Sequence, residues 1–246
     1  MRIQIVPFFF PGIPVPSTRY DAAFLFDLYR ATSTMVVLSE KGAAQIFASD
    51  SLEVARETKR RDPTCFLCGE RNGKPPEGFD AGNSPVEMFS LALQPRKVVM
   101  TTSNGTRCLL AFQGSSPVFL AASLLNVEAC RQKILQAGWQ TLLFLCAGTG
   151  GEFSLEDFAG CSLLAHSLRD ALQPPFSDTL SASLLLGESL WRGENWKQTL
   201  QHTDHARRLQ RDGMQTDVAF ILDHFNAFSS VPTIRTLENP NHWVPG

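Results

Sequence analysis

The chain is expected to fold as an α/β protein, a layered α/β/α arrangement with a largely parallel or mixed sheet and a more helical C-terminal segment. Three observations predict this. Short apolar runs ending in polar residues alternate with amphipathic stretches of helical length. Gly, Asn, Ser and Thr gather where an apolar run gives way to a helix. Beyond Pro174 and Pro175 the alternation stops, and helical patterns follow one another.

Taken in order, residues 22–26 (Ala-Ala-Phe-Leu-Phe) read as a buried strand and 33–41 as a helix that Gly42 ends. A strand at 45–48, a helix at 51–61 with its charges outward, and a buried strand at 65–68 come next. The loop over 69–82 is rich in Gly and Pro. Asn83-Ser84-Pro85 reads as a helix start, with a capping side chain before a proline at the first helical position, and this helix is expected to reach about Leu93. A strand at 97–101 leads through Ser103-Asn104-Gly105-Thr106 into a helix, and a strand at 118–121 leads to a helix at 127–136. Residues 141–146 form the clearest strand. Ala147-Gly148-Thr149-Gly150-Gly151 turns it into a helix that begins near Ser154 and continues over 159–172. The tail holds helices at 180–191, 204–211 and 217–224. With no low-complexity tract or internal repeat, residues 1–246 are expected to form one domain, the tail packing on the sheet, although a sub-boundary near Pro174 is the alternative.

Composition narrows the function. The chain is 43% hydrophobic, enough for a real core, and its 22 basic and 24 acidic residues leave a net charge of −2 without a basic stripe. A nucleic-acid partner therefore lacks electrostatic support. Residues 3–18 carry no charge, but Pro7, Pro11, Pro14 and Pro16 interrupt them, and they fall short of the roughly 20 residues that span a bilayer. No membrane span is expected. Only Arg2 precedes this run and no small-residue cleavage site follows it, so it is not read as a signal peptide and a cytoplasmic protein is expected. The six cysteines are dispersed and read as reduced. Cys65-Phe66-Leu67-Cys68 has redox or zinc spacing, yet residues three apart on a strand face opposite sides.

In open α/β sheets, ligands bind beyond the carboxyl ends of the strands, and four such loops stand out. In Asp27-Leu28-Tyr29-Arg30-Ala31-Thr32-Ser33-Thr34, Asp27 directly follows a buried strand. It can bind a cation, Arg30 can hold an anion bidentately, and helix N-terminal amides near Thr32 and Ser33 add donors. A buried Asp27–Arg30 ion pair with Thr32 as N-cap is the structural alternative. The second loop carries Glu70 and Arg71, then Asp80 among glycines, then Asn83 and Ser84. Asp27, Glu70 and Asp80 are hard-oxygen candidates for Mg²⁺, which needs one or two carboxylates plus waters and substrate oxygens. Turn and capping roles compete for Asp80, Asn83 and Ser84.

The third loop, Thr101-Thr102-Ser103-Asn104-Gly105-Thr106-Arg107, reads as an anion cradle that is not a P-loop. The fourth, around Gly148 and Thr149, resembles a lone Gly-rich phosphate loop. Ser154-Leu155-Glu156-Asp157 behind it fits a capping box, which accounts for Ser154 and Asp157 but leaves Glu156 free to face the site. Two arginines, several acids and many neutral donors, without a nucleophile-elbow serine, suit metal-assisted phosphoryl chemistry. His205, beside Arg207 and Arg208, reads as part of a solvated helix face.

These residues resemble the Mg²⁺-dependent 2-phosphosulfolactate phosphatases of the ComB type. The match runs through Asp27-x-x-Arg30-Ala31-Thr32-Ser33-Thr34, Gly69-Glu70-Arg71, Gly78-Phe79-Asp80-x-Gly82-Asn83-Ser84-Pro85, Thr101-Thr102-x-Asn104-Gly105-Thr106, Cys146-Ala147-Gly148-Thr149 and Phe153-Ser154-Leu155-Glu156-Asp157. A looser likeness extends through His205, Leu209, Gly213 and Asp217. The resemblance implies an α/β phosphatase domain, Mg²⁺, and hydrolysis of 2-phosphosulfolactate to 3-sulfolactate and phosphate, a step toward coenzyme M, or of a related 2-hydroxy-acid phosphate. Residues and resemblance together suggest Asp27, Arg30, Glu70 and Asp80 for catalysis and Asp27, Glu70, Asp80 and Glu156 for the metal. Substrate binding falls to Thr32, Ser33, Arg71, Asn83, Ser84, Asn104, Gly105, Thr106, Gly148 and Thr149. The expected partner is a small anionic phosphate ester, and self-association into a homo-oligomer stays open. The competing reading is a non-catalytic module that holds a phosphorylated or sulfonated acid.

Overall fold

The structure is a computed structural model and describes residues 3–9, 18–92, 96–193 and 195–242. Its strands are β1 (Gln4–Phe9), β2 (Ala22–Phe26), β3 (Ala43–Ala48), β4 (Phe66–Gly69), β5 (Arg96–Thr101), β6 (Phe119–Ala122), β7 (Thr141–Cys146) and β8 (Thr233–Thr236). The helices are α1 (Ala31–Glu40), α2 (Leu52–Arg61), α3 (Pro85–Ser90), α4 (Gly105–Ala111), α5 (Val127–Ala137), α6 (Leu155–Ser167), α7 (Asp178–Arg192), α8 (Trp196–Gln201), α9 (Asp204–Arg211) and α10 (Gln215–Asp223). The α/β class and the helical C-terminal segment are as the sequence predicts. Leu93, the expected end of the third helix, and Pro11, Pro14 and Pro16 lie outside the described residues.

The strands form one mixed sheet in the order β1-β7-β2-β6-β8-β3-β5-β4. Pairing is parallel within β1-β7-β2-β6 and within β8-β3-β5-β4, and antiparallel only where β6 meets β8. Two parallel blocks thus run in opposite directions and are joined through β8. Sequence reading misses β1 and β8. Pro7 obscures β1, but on an edge strand its missing donor is tolerated. β8 is only four residues long and follows a run of helices, so the alternation Thr233-Ile234-Arg235-Thr236 is easily overlooked.

Period-2 alternation distributes the strand side chains among three cores. Phe24 and Phe26 of β2 pack with Phe144 of β7 against α5, α6 and the C-terminal helices, including Leu180, Leu190 and Leu209. Ala23 and Leu25 face the other way, toward α1, Val98 and Met100 of β5 and Ile46 of β3. This central core therefore takes side chains from both blocks. Phe47, Leu67 and Val99 form the third core under α2. Cys65 belongs to that third core and Cys68 to the central one, which is the opposed facing expected of a strand. All six cysteines are buried free thiols, and burial pushes Cys65 up to about 12, so a thiolate is not available there near neutrality.

Helix starts follow their capping residues. The hydroxyls of Ser51, Ser84, Ser154, Ser177 and Thr203 accept the first-turn amides of α2, α3, α6, α7 and α9. At the crossing of α6 and α7, Gly187 admits close approach. A Cβ there would stand 2.3 Å from the Ser162 carbonyl oxygen and 2.7 Å from His166 Cβ. Gly187→Ala is expected to cost about 2 kcal/mol through overpacking and to lower Tm by roughly 5 °C, as read from a thermal melt. An unchanged Tm would show that the two helices separate freely.

Candidate active site

The loops after β2, β4, β5 and β7 converge on one cleft of about 360 Å³, with α9 closing its side. Its lining includes Asp27, Arg30, Glu70, Asn83, Asn104 and Gly150 from these loops and His205, Arg208 and Asp212 from the tail. The tail is thus part of the site wall.

Asp27 stands at the end of β2 and is 5% exposed. One carboxylate oxygen accepts the Gly105 amide at 2.8 Å, and the Ala31 amide also bonds the group. Burial raises its pKa to about 6; the charge of Glu70 pushes the same way, while His205 and the two amides oppose it. A Cβ on Gly105 would lie 2.8 Å from that oxygen, so glycine is what lets the turn approach. Glu70, at the end of β4, behaves oppositely. Burial alone would raise it, but the amides of Gly73 at 2.9 Å and Ser103 at 2.8 Å, with Arg71 nearby, hold it below the ordinary glutamate value.

Arg30 does not pair with Asp27. Its Nη1 donates to Asp217 of α10 at 2.6 Å, and both side chains are almost fully buried. The other oxygen of Asp217 accepts the Ser84 hydroxyl. Asp217 therefore anchors a cleft arginine and the cap of α3 at once. Asn83 Oδ1 is buried in the cleft without a hydrogen-bond partner among the described residues.

His205 corrects the solvated-face expectation. It is 9% exposed and lines the cleft, with Nδ1 at 3.0 Å from the Thr149 hydroxyl and 3.3 Å from Glu156 Oε1. Burial would raise Glu156, but the bond and charge of His205 hold it below the usual value. Asp157 also does more than cap α6. Its two oxygens accept Leu28 N–H at 2.8 Å and Gly148 N–H at 3.0 Å, tying the ends of β2 and β7 together. Burial pushes its pKa well up, with the charges of Asp27 and Glu156 adding to the effect.

Several expected residues do not face the cleft. The carboxylate of Asp80 is taken by Lys59 Nζ at 2.9 Å and by the Leu67 amide at 2.8 Å, bracing α2 on β4. Among the described residues no group of three or more His, Cys, Asp or Glu side chains could hold a metal, so the expected four-acid set of Asp27, Glu70, Asp80 and Glu156 is not assembled. Arg71 turns to the carbonyls of Glu70 and Asp50. Thr32 accepts the Asp27 amide, Ser33 bonds Leu28 O and Ser123, and Thr106 bonds Thr102. These hydroxyls brace the loops from behind. Asn104 stays in the lining and accepts the Gly150 amide at 3.3 Å.

Fold and cleft together define an α/β protein with a polar cleft built from loops at the strand ends. The chain belongs to the 2-phosphosulpholactate phosphatase family, whose model matches residues 13–236. It is 34% identical over 222 residues to a probable 2-phosphosulfolactate phosphatase of Thermotoga petrophila, covering 90% of this chain and 92% of that one. Proteins given the same name resemble it in Deinococcus radiodurans, at 34% over 84% of this chain and 85% of the relative, and in a Synechococcus strain, at 35% over 86% and 88%. Among the described residues no helix is long and apolar enough to cross a membrane.

Proposed function

We propose that the chain is a Mg²⁺-dependent phosphatase that hydrolyses 2-phosphosulfolactate to 3-sulfolactate and phosphate, or a closely related 2-hydroxy-acid phosphate. The observation that carries this reading is the pair of carboxylates in the cleft whose environments drive their pKa values apart. Asp27 is raised to about 6 by burial, and Glu70 is held low by its amides. Such divergence separates a proton acceptor from a permanently charged group.

In this reading Asp27 takes a proton from the attacking water, and Arg30 and Arg208 hold the phosphoryl oxygens. His205, with Nδ1 engaged by Thr149 and Glu156, has its other ring nitrogen left for the leaving oxygen. Asp27 and Glu70 put two carboxylates in the cleft lining beside the guanidinium groups of Arg30 and Arg208, and Mg²⁺ needs one or two carboxylates plus waters and substrate oxygens. Glu70 and the unpartnered Asn83 Oδ1 are the oxygens that would hold Mg²⁺. When bound, it neutralises phosphate charge and polarises the ester. We assign the function to one α/β phosphatase domain over residues 1–246, since tail helices share a core with β2, and place it in the cytoplasm, in keeping with six free thiols.

The test is phosphate release from 2-phosphosulfolactate by the purified protein. Equal amounts of phosphate and 3-sulfolactate are expected with Mg²⁺, with at least a roughly hundredfold fall in excess chelator and recovery on adding Mg²⁺ back. Full activity in chelator would remove the metal from the mechanism. No release from this or related esters would leave a non-catalytic binding module.

A further inference from the structure

Beside the cleft lies a second cavity of about 490 Å³, and His205 and Arg208 line both. Its wall is formed by the loop after β7 and by α9, and three arginines face it, Arg207, Arg208 and Arg211. Arg207 is occupied: it pairs with Asp204 and donates to the His202 carbonyl. Glu156 is likewise occupied by His205. Arg208 and Arg211 have no side-chain partner among the described residues, and the remaining acid in the wall is Glu152. The α9 register places these two exposed guanidinium groups three residues apart, on one side of the helix. Two neighbouring guanidinium groups with no ion-pair partner among the described residues, next to the cleft assigned above to the phosphoryl group, form a site for a second anion of the same ligand.

We propose that this second cavity holds an additional anionic group of the substrate, a carboxylate or a sulfonate on the carbon skeleton of the phosphate ester. Arg211 grips that group, and Arg208 bridges it to the phosphoryl cleft. The proposal rests on the phosphatase reading for its substrate and goes beyond it in saying which residues select among esters. It moves the task expected of Arg71, which turns to backbone carbonyls instead, onto the tail helix. It also explains why the site needs α9, a helix outside the βα repeat.

The experiment compares kcat/KM of the wild-type protein, Arg211→Ala and Arg211→Lys on 2-phosphosulfolactate, 2-phospholactate and p-nitrophenyl phosphate. Arg211→Ala is expected to lower the ratio of 2-phosphosulfolactate to p-nitrophenyl phosphate about tenfold, the size of one exposed charge-assisted contact, and Arg211→Lys to recover part of it. If 2-phospholactate loses the same factor, the cavity seats the carboxylate; if only the sulfonated ester loses it, the cavity seats the sulfonate. An equal change for all three esters overturns the proposal. Calorimetric binding of 3-sulfolactate separates this outcome from failure of the phosphatase reading. Should the wild-type protein release phosphate from none of the esters, roughly tenfold weaker 3-sulfolactate binding by Arg211→Ala still supports the cavity, and equal binding overturns it.

Discussion

Asp27→Asn is expected to reduce kcat by about a thousandfold while the protein stays folded, because the amide cannot accept the proton of the attacking water. The same substitution has an unusual companion effect on stability. The carboxylate is buried with a pKa of about 6 in the folded chain, above the ordinary value of 3.8. Folding therefore favours the protonated form. The stabilisation is fully present below about pH 4 and is lost as pH rises through 6, to a total on the order of 3 kcal/mol at neutrality. Replacing Asp27 with a neutral side chain removes that pH dependence. In chelator, the Tm of Asp27→Asn relative to wild type should be highest near pH 7.5 and fall progressively toward pH 5. Wild-type turnover in the variant would take Asp27 out of the chemistry, and a Tm difference flat with pH would show that its carboxyl is not strained by burial.

The elements legible in the sequence are those that chain neighbours determine. Apolar runs that give way to helical patterns marked β2, β4, β5 and β7, and the polar residues beyond their ends included Asp27, Glu70, Asn83 and Asn104, which do line the cleft. What was hidden depends on contacts far apart in sequence. Asp80 looked like a ligand because it sits among glycines, but its partner is Lys59, 21 residues away on α2. Thr32, Ser33 and Thr106 carry the right atoms at the right loops, yet point into the scaffold, which local pattern cannot distinguish from pointing out. His205 had a usable signal that the charges around it masked. Residues 205 and 209 share a helix face, and Leu209 is apolar and buried, so His205 belonged on the inner side. Asp217 was marked only by the looser family likeness, with no local pattern beyond its place in the first turn of α10 to say that it holds Arg30.

Asp217→Ala is expected to be the most destabilising single change considered for this site, costing about 3–5 kcal/mol and lowering Tm by roughly 10 °C. The reason lies in what it leaves behind. Arg30 is 6% exposed and would keep its charge without the carboxylate 2.6 Å from Nη1, and the Ser84 hydroxyl would lose its acceptor at the cap of α3. Activity should fall as well, since the guanidinium that faces the cleft is no longer aimed by a fixed partner. Stability and aiming can be separated, because a buried ion pair is readily replaced by apolar side chains of similar volume. Arg30→Met combined with Asp217→Leu is therefore expected to regain most of the lost Tm while remaining at least about a hundredfold below wild type in kcat/KM, a deficit set by the missing guanidinium at the phosphoryl group. Thermal melts and phosphate release on the two variants check both halves. Recovery of activity together with Tm in the double variant would make Arg30 a structural residue and leave Arg208 to bind the phosphoryl group alone.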